Sequence, residues 1–428
     1  MIKRIRLTLL ILFLISACSQ IQQLPFPTPS PTTTAPLPTP TVVQETPVPW
    51  WQEAVFYEIF VRSFSDSNGD GIGDLNGVTS NLDYLQNLGV NAIWLMPVHP
   101  SPSYHGYDVL NYYAINPDYG TMDDFKHLLN EAHKRNIHVI IDLVLNHTSD
   151  QHPFFQDALR GPQSKYRDWY VWSDTDQGVG WHLAPGDQPV YYYGQFCDCM
   201  PDLNYRNPEV TAQMENVARY WLEKVGVDGF RLDAAKHLIE EGKVIENTKS
   251  THEWLKGFFK AYKADNPNAY TVAEVFGADA SLAKTYTGNQ VDQVFNFEIA
   301  SGILNSVNGG SNSGINSALT FALQDLPHGE YATFLTNHDQ NRVMSQVVGD
   351  VDKARVAAGL LLTAPGVPFI YYGEEIGMSG SKPDEQIRTP MQWTAGTGAG
   401  FTSGTPWEPV NSDYSSVNVA SESGDSTS

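Results

Sequence analysis

The sequence predicts an α/β fold: a (β/α)8 barrel with a small domain inserted after its third strand. Three observations carry this expectation. Eight short apolar runs alternate with helical patterns, one stretch of about sixty residues interrupts the alternation, and the clusters of polar residues fall at the C-terminal ends of runs.

The chain is 428 residues long with 41% hydrophobic residues, enough to fill a large core, and its formal charge is -22. So much negative charge repels phosphate backbones and anionic headgroups, so no nucleic-acid partner is expected. A neutral or cationic ligand fits better.

Taken in order, residues 1–18 read as a targeting signal. A basic "MIKRIR" is followed by the apolar "LTLLILFLI", too short for a comfortable membrane span, and by small residues before Cys18. The segment resembles a bacterial lipoprotein signal with Cys18 lipidated, and an ordinary secretory signal would lead to the same export. Residues 19–49 are rich in Pro and Thr and read as an extended tether. The expected product is an extracytoplasmic monomer, lipid-anchored to the cell envelope or secreted, whose one tie to a membrane is its lipid.

The barrel is expected over 50–147 and 206–400. Its strands are predicted at 54–61, 92–97, 138–145, 227–233, 270–276, 291–298, 331–336 and 367–373, each β-branched or aromatic-rich. Helical spacing of apolar residues predicts crossovers such as 121–136 and 208–226. The interruption, 148–205, is rich in Tyr, Trp, Asp and Gly and reads as an inserted domain. It holds Cys197 and Cys199, which an exported compartment leaves open between a local disulfide and two free thiols.

Asp142, Asn146 and His147 end the third strand, Arg231 and Asp233 the fourth, and Glu274 the fifth, while His338 and Asp339 follow the seventh. In a TIM barrel that end is where active sites form. Paired carboxylates suit glycosidic cleavage; no nucleophilic triad or phosphate-binding loop is visible.

The segments "DLVLNH" (142–147), "MPDLN" (200–204), "GFRLDAAKH" (229–237), "VAEVF" around Glu274 and "FLTNHD" (334–339), in this order, resemble the α-amylase family, glycoside hydrolase family 13. The resemblance covers roughly residues 51–400. It implies a retaining double displacement with Asp233 as nucleophile, Glu274 as general acid and base, and Asp339 stabilising the transition state. Tyr107, His147 and His338 would bind the sugar in the cleaved subsite. Arg231, two residues before Asp233 and so on the same side of the strand, should keep that carboxylate ionised. Glu274 should be raised by its carboxylate neighbours. For Asp142, structural support and substrate contact both stay open.

The segment "DSNGDGIGD" offers oxygen ligands at alternating positions, and it resembles a family calcium loop with Asp66, Asn68, Asp70, the carbonyl of Ile72 and Asp74 as ligands. A second Ca2+ site would use Asn146, Asp202 and the carbonyl of His237. "MPDLN" and "RTPMQW" (388–393) look like the oligo-1,6-glucosidase side of the family. The small Ala234, with Lys236 and His237 holding leaving-side sugars, looks like an α-amylase. The mixture resembles lipoprotein α-amylases intermediate between oligo-1,6-glucosidases and neopullulanases.

The expected activity is therefore endo-hydrolysis of α-1,4 bonds in starch or maltooligosaccharides. The alternatives are an exo-acting α-glucosidase or oligo-1,6-glucosidase, a transglycosylase, and a carbohydrate-binding lipoprotein without catalysis. Residues 401–428 read as a Ser/Gly-rich, truncated tail without a helix, and the family's eighth helix and C-terminal β-sandwich are not visible.

Overall fold

The computed structural model describes residues 48–186, 189–326 and 329–424. Cys18 and the expected signal and tether, up to residue 47, lie outside them.

Eight parallel strands close into a barrel: β1 (Phe56–Ile59), β2 (Ala92–Leu95), β3 (His138–Leu143), then β7 (Gly229–Leu232), β8 (Tyr270–Ala273), β9 (Gln293–Phe295), β10 (Tyr331–Phe334) and β11 (Val367–Tyr371), with β11 pairing back to β1. Each lies inside its predicted run. The runs are longer than the strands because their last residues leave the hydrogen-bonded ladder and enter the mouth.

Pleating sends alternate residues inward. Phe56, Trp94, Ile140, Tyr270, Phe295 and Phe369 pack the interior, while Tyr57, Ile93, Ile141, Phe230 and Leu232 face the surrounding helices. At Gly229 a Cβ would meet the Tyr270 carbonyl oxygen at 2.0 Å, so β7 can approach β8 only because the side chain is missing. The helix Met122–Lys134 is closed at its start by reciprocal bonds between Thr121 and Asp124. The predicted helix 208–226 is observed as α-helix Pro208–Arg219 continuing into a π-helical turn, Tyr220–Val225.

The insertion forms an antiparallel sheet of β4 (Trp172–Ser173), β5 (Trp181–Leu183) and β6 (Tyr191–Tyr193), with β6 in the middle. Phe155 packs against Tyr170, Trp172 and Tyr192, with centroids 4.9, 5.8 and 4.9 Å away. Short bridges His147↔Asp202 and Tyr170↔Leu203 tie this unit's start to its end. Cys197 and Cys199 are disulfide-bonded, which closes the alternative of free thiols.

The segment after residue 400 differs from the expected helix-free tail. It folds back on the loop after β1: Asp66 N–H donates to the Phe401 carbonyl and Trp407 N–H to that of Gly71, each at 2.9 Å, and the Trp407 indole donates to Ser63. Gly71, at φ +95°, sits so close that a Cβ would meet the Thr405 carbonyl oxygen at 1.9 Å. A short helix, Val419–Glu422, follows. Backbone bonds, side-chain bonds such as Thr402 to Asp66, and the isolated aromatics Phe401 and Trp407 hold this segment rather than an apolar stripe, so hydrophobic periodicity does not reveal it.

Candidate functional site

The pleat that packs the barrel also builds its mouth. In β7, Phe230 and Leu232 face the helices, so Arg231 and then Asp233 point inward; by the same alternation Glu58, Asp142 and Glu274 end up inside. Asp142 and Arg231 are direct neighbours across β3 and β7.

One guanidinium organises the centre. Arg231 Nη1 lies 3.0 Å from Asp142 Oδ1 and 2.5 Å from Asp233 Oδ1, and its Nη2 lies 2.5 Å from Glu274 Oε2. Arg231 and Asp142 are 1% and 0% exposed. Asp142 therefore supports the arginine from beneath, which resolves its open role toward structure. Ala234 takes a left-handed conformation (φ 46°) just after Asp233, turning the chain so that its N–H donates to Glu274 Oε2 at 3.2 Å.

The buried Asp142 and Asp233 and the partly buried Glu274 around one cation leave excess negative charge, which favours keeping a proton in the cluster. Burial pushes the Glu274 carboxyl up; Arg231 opposes this, and Asp233 and Asp339 add to it. Burial thus outranks the neighbouring carboxylates that were expected to dominate. Burial also pushes Asp233 up and outweighs Arg231, which pulls it toward the ionised form, so the expectation that the arginine sets this carboxylate's ionisation is corrected. Asp142 is pushed up to about 7 by burial, again against Arg231.

Asp339 is the odd one out, with 36% of its side chain accessible from the mouth. Despite its burial cost, His338 and then Arg388 hold it well below the usual carboxylate range. His338 Nε2 lies 3.2 Å from Asp339 Oδ2 and 2.7 Å from the Tyr107 hydroxyl, while Arg388 Nη2 donates to Asp339 Oδ1 at 3.0 Å. Tyr107 donates its O–H to Asp142 at 3.1 Å and stacks on His338, with centroids 5.6 Å apart at 17°. These polar residues form one hydrogen-bonded surface.

His147 lies on the other side of Tyr107, its Nε2 3.2 Å from the Tyr107 carbonyl oxygen, and burial lowers it to about 4, which keeps the ring neutral. Lys236 and His237 sit on the rim. Lys236 Nζ donates to the Phe276 carbonyl at 3.0 Å and pairs with Glu246 at 2.6 Å; His237 Nδ1 lies 3.1 Å from the Ile245 carbonyl oxygen. Half-exposed Phe196 sits edge-on to both His147 and His237, at 5.3 and 5.8 Å.

The two proposed ion sites differ. In the loop, Asp66 accepts N–H groups of Asn68, Gly69 and Gly71, Asp70 accepts that of Ile72, and Asp74 accepts Ser67 and Gly77. Its donors are hard oxygens at alternating positions, as calcium requires, but the three carboxylates do not all come within 4.8 Å of one another. At the junction of the insertion and the barrel, Asn146 Oδ1 and Asp202 Oδ2 are buried and accept no hydrogen bond. Burial, and then the nearby Glu240 charge, push Asp202 far up. Two orphaned acceptors and a second acid ask for a cation, so this set fits Ca2+ better than the loop does. Among the described residues the one tight group of metal-ligand types is Cys197, Asp198 and Cys199, whose sulfurs are consumed by the disulfide.

Sequence reading missed Glu58, Arg388, Phe196 and Glu240. A lone glutamate in the apolar run "FYEIFV" was the available signal for Glu58. Arg388 stood in a segment used only to weigh subfamilies.

The sequence profile described as "Alpha amylase, catalytic domain" matches residues 58–428. The chain is 47% identical over 350 residues to a protein named alpha-amylase 3 from Dictyoglomus thermophilum, covering 81% of this chain and 68% of that one. It is 35% identical to an oligo-1,6-glucosidase from Bacillus cereus, covering 86% and 80%. The crystal structure of an α-amylase from H. orenii superposes with a TM-score of 0.80 at 45% identity, covering 87% of this chain and 78% of that one. With a closed eightfold barrel and buried carboxylates at its mouth, the chain belongs to the α-amylase catalytic-domain family and is a glycoside hydrolase.

Proposed function

We propose that the protein hydrolyses α-1,4-glucosidic bonds inside starch and maltooligosaccharide chains with retention of configuration. The observation that carries this reading is the single guanidinium that contacts both Asp233 and Glu274. Such a fork favours the short carboxyl separation of double displacement, about 5 to 5.5 Å, over the wider gap that an inverting enzyme needs for water.

Asp233 attacks the anomeric carbon while Glu274 gives its proton to the glycosidic oxygen, and the leaving chain departs with a free hydroxyl. Water then attacks the glycosyl ester, Glu274 takes its proton, and Asp233 is released as the carboxylate. Positive charge develops at the sugar carbon in both steps. Asp339, accessible and held ionised, bonds the sugar hydroxyls more strongly as that charge grows. His338, Tyr107 and His147 line the cleaved sugar's side, and Lys236 and His237 receive the leaving side.

Internal cleavage is supported by the rim pair Lys236 and His237 and by the half-exposed rings of Phe196 and Phe276 beside them, which offer stacking surface to further sugars. The relative named alpha-amylase 3 agrees. Exo-action or α-1,6 cleavage is the second reading, favoured by the oligo-1,6-glucosidase relative. The test is proton NMR of a maltooligosaccharide digest: α-anomers appearing first support retention, and β-anomers would overturn it. An Asp233→Asn control should lose hydrolysis by several orders of magnitude.

Ca2+ is proposed at Asn146, Asp202 and the His237 carbonyl with Glu240 alongside, and at the Asp66–Asp74 loop. When bound, it would neutralise buried acid and brace the insertion against the barrel. Export, with lipid attachment at Cys18, is proposed from the leader, and the disulfide supports an oxidising compartment.

A further inference from the structure

Glu58 is out of reach of any sugar. It sits on β1 with only 2% of its surface exposed, its side chain turned into the barrel by the pleat. A carboxylate there is tolerable only with a partner. That partner is His338, 1% exposed, whose Nδ1 lies 2.5 Å from Glu58 Oε1.

We infer that Glu58 is a positioning residue for bond cleavage: its carboxylate holds the His338 imidazole doubly protonated, with Nε2–H fixed toward Asp339 and Tyr107. A neutral imidazole carries one N–H, so it could serve Glu58 or the mouth but not both. With acceptors at both nitrogens, the ring keeps both protons. It then presents a fixed positive donor beside the carboxylate assigned to stabilise the transition state.

The surroundings agree. The Trp94 ring of β2 packs edge-on to His338 at 5.6 Å, Asp142 of β3 and Asp233 after β7 add negative charge, and Tyr371 and Glu374 lie on the β11 side. The nearby cations are Arg231 and Arg388, and each is already bonded to carboxylates. Burial disfavours the charged ring, yet Asp339 and Glu58 outweigh it and push His338 up to about 9.

The inference rests on the proposed reading of the mouth as the cleavage site, so its test begins with a readout that needs no turnover. The whole protein, labelled at histidine Cε1, is titrated by NMR, with the His338 signal assigned by its loss in His338→Asn. Wild type should titrate near 9. Glu58→Gln, which keeps the shape and removes the charge, should lower the midpoint by about 1 to 3 pH units. Glu58→Asp, which keeps the charge, should stay close to wild type. On maltosyl fluoride, whose leaving group needs little proton donation, kcat of Glu58→Gln should fall about tenfold or more above pH 7, with KM changed less.

A wild-type midpoint near 6.5 would overturn the inference, even if Glu58→Gln failed to fold. So would an unchanged midpoint in a folded Glu58→Gln, or a lowered midpoint with kcat intact. If His338 titrates as expected but no glycosidic bond is cleaved, the proposed function fails instead.

Discussion

Arg231 and Glu274 meet at 2.5 Å, Nη2 to Oε2, and the same guanidinium also holds Asp142 and Asp233. One side chain thus sets the spacing of the two carboxylates proposed to cleave the bond and limits the repulsion between them. Arg231→Lys cannot reproduce the fork. It should lower kcat/KM at least about 100-fold, and the loss of a buried partner should destabilise the fold by about 3 to 5 kcal/mol. Steady-state kinetics and denaturant unfolding of the variant check both.

Glu274 must carry a proton to act as an acid. Burial raises its pKa, so activity should persist to higher pH than a free carboxyl allows and fall as pH rises through the raised value. A kcat/KM profile with an alkaline limb that disappears for Glu274→Gln rescued by azide supports the assignment. An unchanged limb in the rescued variant would move the acid role elsewhere.

Glu374 predicts a stability effect apart from catalysis. This partly buried carboxyl, which accepts the Thr336 hydroxyl at 3.1 Å, is pushed up to about 8, chiefly by desolvation. Its folded value lies above its unfolded one, so the native state binds the extra proton. The resulting stability is complete below the unfolded pKa, about 4.3, and is lost as pH rises through about 8. Thermal melts from pH 5 to 9 should show a decline that is shallower in Glu374→Gln.

Asn146 and Asp202 predict a metal-linked sign reversal. With calcium at 100 times its Kd, wild type should gain about 2.7 kcal/mol, and Asp202→Asn should gain much less. In chelator the order should invert, because the variant removes a buried acid whose Oδ2 accepts no hydrogen bond. Melting curves in calcium and in EDTA measure both.

The Cys197–Cys199 bond lies beside Phe196 on one side and leads to Asp202 on the other. So short a loop contributes only about 1 to 2 kcal/mol of chain entropy. Replacing both cysteines by serine should therefore lower Tm by only a few degrees. KM for long maltooligosaccharides should rise more than kcat falls, because Phe196 loses its fixed place at the rim.

Much of this was legible in the sequence because a buried parallel strand is an apolar run. All eight barrel strands fall inside such runs, and period-two alternation alone carries Arg231 to Asp233 on one face. What stayed hidden depends on distant pairings. Glu58 meets His338 across 280 positions, and Arg388 reaches Asp339 from a segment beyond the last strand. The packing of Trp407 on Ser63 is of the same kind, spanning 344 positions. No local pattern encodes such contacts. The order of electrostatic causes at Glu274 was also hidden, because burial is a property of the closed barrel.

Internal cleavage at the Asp233–Glu274 pair is decided by a time course on soluble starch resolved by chain length. Polymer length should collapse early with a spread of maltooligosaccharides, and the collapse should be absent in Asp233→Asn. Glucose released alone from the start, with polymer length preserved, would contradict it.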